Sequence, residues 1–290
     1  MYGGTSLLGL YSEDRFEFRR GDVCDAQAVQ QSLEGIEAVV HLAAIVGDPA
    51  CARQPDLVKR VNLEASLALL DLCQRRGVSR LVFASTCSNY GRMLDPEGYV
   101  NEESPLRPVS LYAETKVAVE QALLGASNGK GCAPMVLRFA TLFGLSPRPR
   151  FDLTVNEFTM ELLTKRELVV YGQQFWRPYV HVRDAARAIG RVLELPVHQV
   201  ERKVYNVGDT TQNFQKQQIV DRVRAQVHEP VDVKYVHKVE DPRDYRVSFE
   251  RIHRELGFAI TRTVNDGIAE VASAIQQRVI TDPSNPLYRN

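Results

Sequence analysis

Residues 80–91 read RLVFASTCSNYG, and this stretch decides the fold. Its first half, 80–85, is a short apolar run typical of a buried strand in a parallel sheet. The hydroxyl of Thr86 follows at the carboxyl end of that strand, which is the end where doubly wound sheets bind ligands. The stretch therefore predicts a buried strand that brings a hydroxyl to a cleft. A plain polar turn between strand and loop would give the same pattern.

The segments on either side of this stretch alternate between strand and helix patterns. Apolar runs at 37–44 (EAVVHLAA) and 135–139 (MVLRF) predict two further buried strands. Apolar residues at helical spacing mark 61–76 (VNLEASLALLDLCQRR) and 112–124 (YAETKVAVEQALL), and Gly77 ends the first of these helices. This alternation predicts an α/β fold, a doubly wound parallel sheet with helices on both faces.

The pattern changes after Gly144, where Pro147 and Pro149 interrupt an irregular passage. We predict a first domain over 1–145, to which segments near 177–207 return, and a smaller lobe over 146–290 that binds substrate. The elements predicted in this second half are helices at 155–165, 213–227 and 264–279, and strands near Val169, at 179–182 and at 231–236.

Composition and charge narrow the function class. The 290 residues carry 36 Lys+Arg and 36 Asp+Glu, and this balance argues against a nucleic-acid partner, which selects for a basic excess. The five cysteines are scattered without metal-ligand spacing, so we predict no metal site and a reducing, cytoplasmic location. No apolar run reaches the length of a membrane span, and residues 1–5 lack the features of a signal peptide.

Tyr112 and Lys116 form a Tyr-x-x-x-Lys spacing on a predicted helix. Residues i and i+4 share a helix face, so the ammonium is expected to lie beside the phenol. A neighbouring positive charge lowers the pKa of a phenol from about 10. Tyr112 would then be a usable general acid or base. The alternative is an ordinary solvated helix face, which the spacing alone does not exclude.

Taken together, these motifs resemble the extended short-chain dehydrogenase/reductases, and within them the NAD-dependent epimerase/dehydratase family that modifies nucleotide sugars. The resemblance rests on the strand ending in Ser85-Thr86, the Tyr90-Gly91 pair and Tyr112-x-x-x-Lys116 in that order. Further stretches match in sequence order: 21–25 (GDVCD), 41–44 (HLAA), Asn62, 177–184 (RPYVHVRD), 205–208 (YNVG) and 241–245 (DPRDY).

The resemblance implies a Rossmann-like fold, NAD as cofactor (NADP being possible), a nucleotide-diphosphate sugar as substrate, and a homodimer formed through helices 61–76 and 112–124. It implies catalytic roles for Thr86, Tyr112 and Lys116. The residues that it places at the cofactor are Asp22, Val23, Leu42, Ala43, Ala44, Asn62, Tyr112 and Lys116. Those that it places at the substrate are Thr86, Cys87, Ser88, Asn156, Arg177 and Arg243, the two arginines facing the diphosphate.

The sequence departs from the family at its start. The family opens with a strand, a glycine-rich turn that approaches the pyrophosphate, and a helix. Residues 1–6 (MYGGTS) resemble instead the loop after the second strand. We interpret the chain as N-terminally truncated, or as begun at an internal Met. A cofactor-free pseudoenzyme or a non-catalytic binding protein is the alternative from another function class.

A second departure concerns the reaction. The family's 4,6-dehydratases carry an Asp-Glu pair after the strand hydroxyl, where this chain has Cys87 and Ser88. Neither side chain is a carboxylic acid, so the sequence disfavours dehydration. We predict an epimerase that transiently oxidises a sugar carbon, with a nucleotide-sugar ketoreductase as the alternative. A buried structural thiol is the default interpretation of Cys87, and an acid/base role is the alternative.

Overall fold

A computed structural model describes residues 4–95, 97–125, 131–227, 230–238 and 243–290. Met1–Gly3, Asp241 and Pro242, which belong to stretches quoted above, lie outside the described residues. The strands are β1 Ala38–His41, β2 Arg80–Thr86, β3 Ala133–Phe139, β4 Thr141–Phe143, β5 Glu167–Tyr171, β6 Trp176–His181, β7 Val204–Val207, β8 Asn213–Gln215 and β9 Asp232–Val236.

The helices fill the segments between these strands. In chain order they are α1 Ala26–Ser32, α2 Asp48–Arg53, α3 Pro55–Val58, α4 Ala65–Arg76, α5 Leu111–Gly125, α6 Thr154–Thr164, α7 Val182–Glu194, α8 Val197–Val200, α9 Lys216–Gln226, α10 Glu250–Leu256 and α11 Val264–Gln276. A π-helical turn, Lys59–Glu64, leads into α4, and short 3-10 turns include Cys87–Tyr90.

The main sheet has the order β1-β2-β3-β7, and all its pairings are parallel. Alternation along β2 places Leu81 and Phe83 in one core cluster and Val82 in another, so apolar layers cover both faces of the sheet. Helices α4 and α5 supply the first layer, and α7 and α10 supply the second. The predicted α/β architecture is confirmed.

The second half of the chain builds two smaller sheets. Strands β4, β6 and β8 form one, and β5 and β9 form the other, with parallel pairing. Helices α6, α9 and α11 pack with these strands around a separate core that includes Phe158, Leu162 and Ile268. Strand β7 lies beside β3 in the main sheet and follows the small sheet's β6 in the chain.

Two predicted helices begin differently in the structure. The helix predicted over 213–227 begins at Lys216, because Asn213–Gln215 pairs antiparallel with β6. The helix predicted over 61–76 opens with the π-helical turn, within which the side chain of Asn62 binds the backbone of Ile45. In both places a contact with a distant part of the chain changes the start of the helix that periodicity predicts.

Candidate active site

The hydroxyl of Thr86 is fixed at the carboxyl end of β2. Its Oγ1 accepts a hydrogen bond from the backbone N–H of Ser88 at 3.1 Å, which caps the 3-10 turn Cys87–Tyr90. Thr86 and Cys87 are buried, and Ser88 is half-buried. A side chain held in this way offers its hydroxyl in one position, as recognition of a substrate oxygen requires.

Tyr112 lies in the first turn of α5, close enough to Thr86 for the Thr86 side chain to act on its phenol. Burial raises the pKa of Tyr112 well above its usual range, and the neighbouring Cys51 and Asp48 raise it further. The Thr86 side chain and the charge of Arg150 act in the opposite direction. Tyr112 is therefore a protonated phenol in this structure.

Lys116 lies one helical turn beyond Tyr112 and is buried. Its Nζ donates a hydrogen bond to the Ala84 carbonyl at 2.8 Å and lies 4.6 Å from the centre of the Phe83 ring. Burial lowers the pKa of Lys116 to about 8, and the charge of Glu120 opposes this shift. The ammonium is thus held against the strand that carries Thr86.

The expected lowering of the Tyr112 pKa by Lys116 is not found in this structure. The ammonium lies 5.9 Å from the centre of the Tyr112 ring and is directed at Ala84. Burial and the carboxylate of Asp48 therefore dominate the pKa of the phenol. The i, i+4 spacing brought the two side chains to one face, but the strand backbone decided where the ammonium points.

Four of the residues assigned to the cofactor follow β1 or bond the chain just after it: Leu42, Ala43, Ala44 and Asn62. Leu42 and Ala43 are exposed directly after β1, and Ala44 is half-buried. Asn62 is buried, and its amide accepts from the Ile45 N–H at 2.8 Å and donates to the Ile45 carbonyl at 2.9 Å. Asn62 therefore holds the chain after β1 in place.

The residues present fit two ends of a dinucleotide. Leu42, 59% exposed, offers apolar surface at the carboxyl end of the sheet. The exposed Asp22 carboxylate accepts from the Cys24 N–H at 2.9 Å and keeps further acceptor capacity for a polar ligand. Val23 beside it is half-buried. Across the described ranges, no glycine-rich turn joins a strand to a helix, so none of these residues forms the turn that holds a pyrophosphate in the family.

Two arginines predicted to face a diphosphate have defined positions. Arg177 is buried, donates to the Trp176 carbonyl at 2.7 Å and lies 5.7 Å from the centre of the Tyr245 ring. Arg243 donates to the Asp48 carboxylate at 2.5 Å. The Asp48 carboxylate therefore accepts from Arg243 and also raises the pKa of Tyr112.

Asn156 is buried in α6 and is turned toward the backbone of the loop after β4. Its Oδ1 accepts from the Gly144 N–H at 2.9 Å, and its Nδ2 donates to the carbonyls of Gly144 and Pro149. Both ends of the amide are therefore engaged with this loop. In this structure Asn156 therefore stabilises the loop, and its amide is not directed at a ligand site.

Cys87 and Ser88 follow Thr86 but have different surroundings. The Cys87 thiol donates to the Arg138 carbonyl at 3.2 Å, and burial raises its pKa well above the usual value. Ser88 Oγ accepts from the Tyr245 hydroxyl at 3.4 Å. The thiol is thus protonated and turned into the core, which matches the default interpretation of a structural cysteine.

Asp48, Glu120 and Arg138 were missed by the sequence reasoning. Asp48 reaches Tyr112 only because α2 packs on α5, and no sequence pattern signals it. Glu120 could have been found, since it lies four residues beyond Lys116 on the same helix face. Within the described residues, no cluster of His, Cys, Asp and Glu could hold a metal ion, and no helix there is long and apolar enough to cross a membrane.

Comparisons with known proteins give a family match and curated relatives for this chain. The family model described as "NAD dependent epimerase/dehydratase family" matches residues 5–208. A dTDP-glucose 4,6-dehydratase of Streptomyces griseus is 30% identical over 92% of this chain and 80% of the relative. A UDP-glucose 4-epimerase of Corynebacterium glutamicum is 26% identical over 88% and 80%, respectively.

A solved structure shows the same architecture. The Thermus thermophilus UDP-glucose 4-epimerase in complex with NAD superimposes with a TM-score of 0.78 at 25% identity, covering 91% of this chain and 86% of that one. Because the family model spans more than half of the 290 residues, and the motifs at Thr86, Tyr112 and Lys116 meet at one sheet edge, the chain belongs to the NAD-dependent epimerase/dehydratase family.

Proposed function

We propose that this protein is an NAD-dependent epimerase of a sugar attached to a nucleoside diphosphate. The observation that carries the proposal is the meeting of Thr86, Tyr112 and Lys116 at the carboxyl end of β2. The Thr86 side chain acts on the Tyr112 phenol, and the Lys116 ammonium donates to the Ala84 carbonyl at 2.8 Å. This arrangement lets a hydroxyl and a phenol meet one substrate oxygen. UDP-glucose 4-epimerases stand among the relatives on both sequence and structure, which supports the same substrate class.

Each residue has a defined task in this proposal. Thr86 would bind the oxygen of the reacting sugar carbon. Tyr112 first releases its own proton to solvent, and the phenolate then takes the proton of the sugar hydroxyl and later returns it. Lys116 supplies positive charge beside the phenolate that forms. When bound, NAD would supply reversible hydride transfer at the sugar carbon. Lys116 and Tyr112 would hold its ribose, and Asp22 and Val23 its adenine.

Arg177 and Arg243 would bind the diphosphate, for which a guanidinium is suited by its fork of N–H donors. Arg243 now donates to Asp48, so a diphosphate would compete with that carboxylate for the same guanidinium. Release of Arg243 would change the charge balance around Asp48, the carboxylate that raises the pKa of Tyr112. The Asp48 carboxylate would thereby influence both substrate binding and proton transfer.

The side chains after Thr86 favour epimerisation over dehydration. Removal of water from a sugar needs a group that can protonate the leaving hydroxyl. Cys87 is buried, and its thiol donates to the Arg138 carbonyl. The Ser88 hydroxyl accepts a hydrogen bond from Tyr245. Neither group is an acid of suitable strength. These two positions therefore support the epimerase among the reactions of the family.

The proposal extends to the organisation of the molecule. Residues 1–145, with returning segments near 177–207, would hold the cofactor, and residues 146–290 would chiefly hold the sugar nucleotide. Helices α4 and α5 would form a homodimer interface. A cytoplasmic location is consistent with the five cysteines, which in the described part of the chain are all free thiols.

The test is an assay on the purified chain with millimolar NAD and either UDP-glucose or dTDP-glucose, followed by proton NMR of the sugar. We expect a sugar epimer, and Tyr112→Phe should lower the rate by about 10²–10⁴-fold because it removes the proton carrier. A 4-keto-6-deoxy product would identify a dehydratase instead. No turnover of either sugar, or full activity of Tyr112→Phe, would refute the proposal.

A further inference from the structure

Three consecutive residues of β2 each hold one residue of α5. The Ala84 carbonyl accepts from Lys116 Nζ, Ser85 Oγ donates to the Glu120 carboxylate, and the Thr86 side chain acts on the Tyr112 phenol. On the helix these partners are i, i+4 and i+8, which is the spacing of one face. The catalytic Tyr and Lys are therefore two members of a three-residue stripe, and Glu120 is the third.

Glu120 is bound more fully than either of the other two. It is 1% exposed, and its carboxylate accepts from Asn89 Nδ2 at 2.7 Å besides Ser85. Arg138 donates to it with Nε at 3.1 Å and with a terminal nitrogen at 2.7 Å. Such paired N–H donors fix the plane of a carboxylate as well as its place.

The far side of Arg138 continues the network into the neighbouring strand. A terminal nitrogen of Arg138 donates to the Tyr90 hydroxyl at 3.0 Å, and that hydroxyl donates to Asn206 Oδ1 at 2.7 Å. The chain of bonds thus joins β2, α5, β3 and β7 beneath the strand end that carries Thr86. Replacement of buried ion pairs by apolar residues is often neutral or stabilising, so fold stability alone is a weak reason for this pair.

We propose that Glu120 is a positioning residue, which locks α5 onto β2 through Ser85 so that Thr86 and Tyr112 can share one substrate oxygen. The inference rests on the proposed function, because that function assigns the reacting oxygen to Thr86 and Tyr112. Glu120 does not touch that oxygen, and its effect passes through Ser85 and the backbone. Its carboxylate also counteracts the effect of burial on the pKa of Lys116.

Two variants weaken the contacts of Glu120 with Ser85 and Arg138 to different extents. Ser85→Ala removes the hydroxyl that joins strand to helix and leaves the Glu120–Arg138 pair in place. The double variant Glu120→Gln with Arg138→Met removes the pair without leaving a buried charge unpaired. Thr159→Val is the matched control, because Thr159 is fully buried and its hydroxyl donates to the Val155 carbonyl at 2.7 Å, within α6 and away from the site.

The first readout is steady-state epimerisation. We expect Ser85→Ala to lower kcat about 10-fold and the double variant about 100-fold, with KM within about 3-fold, since misplacement of a reacting group costs rate more than binding. Thr159→Val should keep the wild-type kcat. If Ser85→Ala and the double variant match Thr159→Val in kcat while wild type is active, Glu120 does not position Thr86 and Tyr112.

The second readout does not depend on activity. The rate of Lys116 acetylation by acetic anhydride is followed by peptide mass spectrometry, because Lys116 is protected only while α5 stays on the Ala84 carbonyl. We expect at least about 5-fold faster labelling in the double variant and no change in Thr159→Val. Equal labelling in all three proteins overturns the inference. If the wild type is inactive but the double variant is labelled faster, the proposed function is refuted. The inference that Glu120 holds α5 on β2 is then still supported.

Discussion

Lys116→Met should make the folded protein more stable near neutral pH while it abolishes the proposed activity. Lys116 is buried, and its pKa is lowered to about 8 from 10.5. Below pH 8 the protein therefore holds a charged group where burial disfavours the charge. At 1.36 kcal/mol per pKa unit, this costs about 3 kcal/mol. Loss of the hydrogen bond to Ala84 offsets about 1 kcal/mol, which leaves a net stabilisation of about 2 kcal/mol.

The pH dependence follows from the direction of the shift. Folded Lys116 loses its proton near pH 8, whereas an unfolded lysine keeps its proton up to about pH 10.5. Between these values the unfolded chain binds more protons, so the wild type gains stability as the pH rises. The advantage of Lys116→Met over wild type should therefore shrink above pH 8 and vanish near pH 10.

Urea unfolding of wild type and Lys116→Met, near pH 7 and near pH 10, measures this difference. Lys165→Met is the control, because Lys165 is an exposed lysine directly after α6 that pairs with Glu161 at 2.7 Å. It should change the free energy of unfolding by no more than about 0.5 kcal/mol at either pH. A Lys116→Met protein less stable than wild type near pH 7, or a difference that is the same at both pH values, would refute the reasoning.

Three further outcomes test the site. Arg243→Met should raise KM for the sugar nucleotide about 10–100-fold with little change in kcat, because a charged hydrogen bond to phosphate is lost; an unchanged KM would remove Arg243 from the diphosphate site. Asp48→Asn should lower the pKa of Tyr112, since it removes a negative charge that raises that pKa. A general base of lower pKa is active at lower pH, so the acidic limb of kcat/KM should move down, and a shift to higher pH would contradict this role. Finally, calorimetric titration should find NAD bound to the 290-residue chain more weakly than about 100 μM, because the described residues hold no pyrophosphate turn; micromolar binding would show that other residues hold the pyrophosphate.

Much of the fold could be predicted because its signals are local. The apolar runs at 80–85 and 135–139 became β2 and β3, and the helical pattern at 112–124 became α5 with one more residue at each end. The helix predicted over 213–227 was wrong at its start, because Asn213 and Phe214 pair with Pro178 and Arg177 from a distant strand. Helical periodicity does not reveal a contact between residues so far apart in the chain.

The candidate site was only partly accessible to sequence reasoning. The spacing from Tyr112 to Lys116 put both side chains on one helix face, and the order of strand and helix brought Thr86 to them. The roles of Asn156 and Asp48 were not visible in the sequence. An amide looks the same whether it meets a ligand or a loop backbone, and Asp48 acts through helix α2, which lies far from Tyr112 along the chain.

The sequence by itself determined the alternation of strands and helices and the identity of the groups that can carry a proton, because both follow from local periodicity and side-chain chemistry. Only the tertiary structure decided that the Lys116 ammonium points at Ala84, that Asp48 acts on Tyr112, and that Glu120 joins Arg138 beneath the strand end. These arrangements arise where segments distant in the chain are packed out of water. Burial and neighbouring charges there set the direction and the protonation of each side chain.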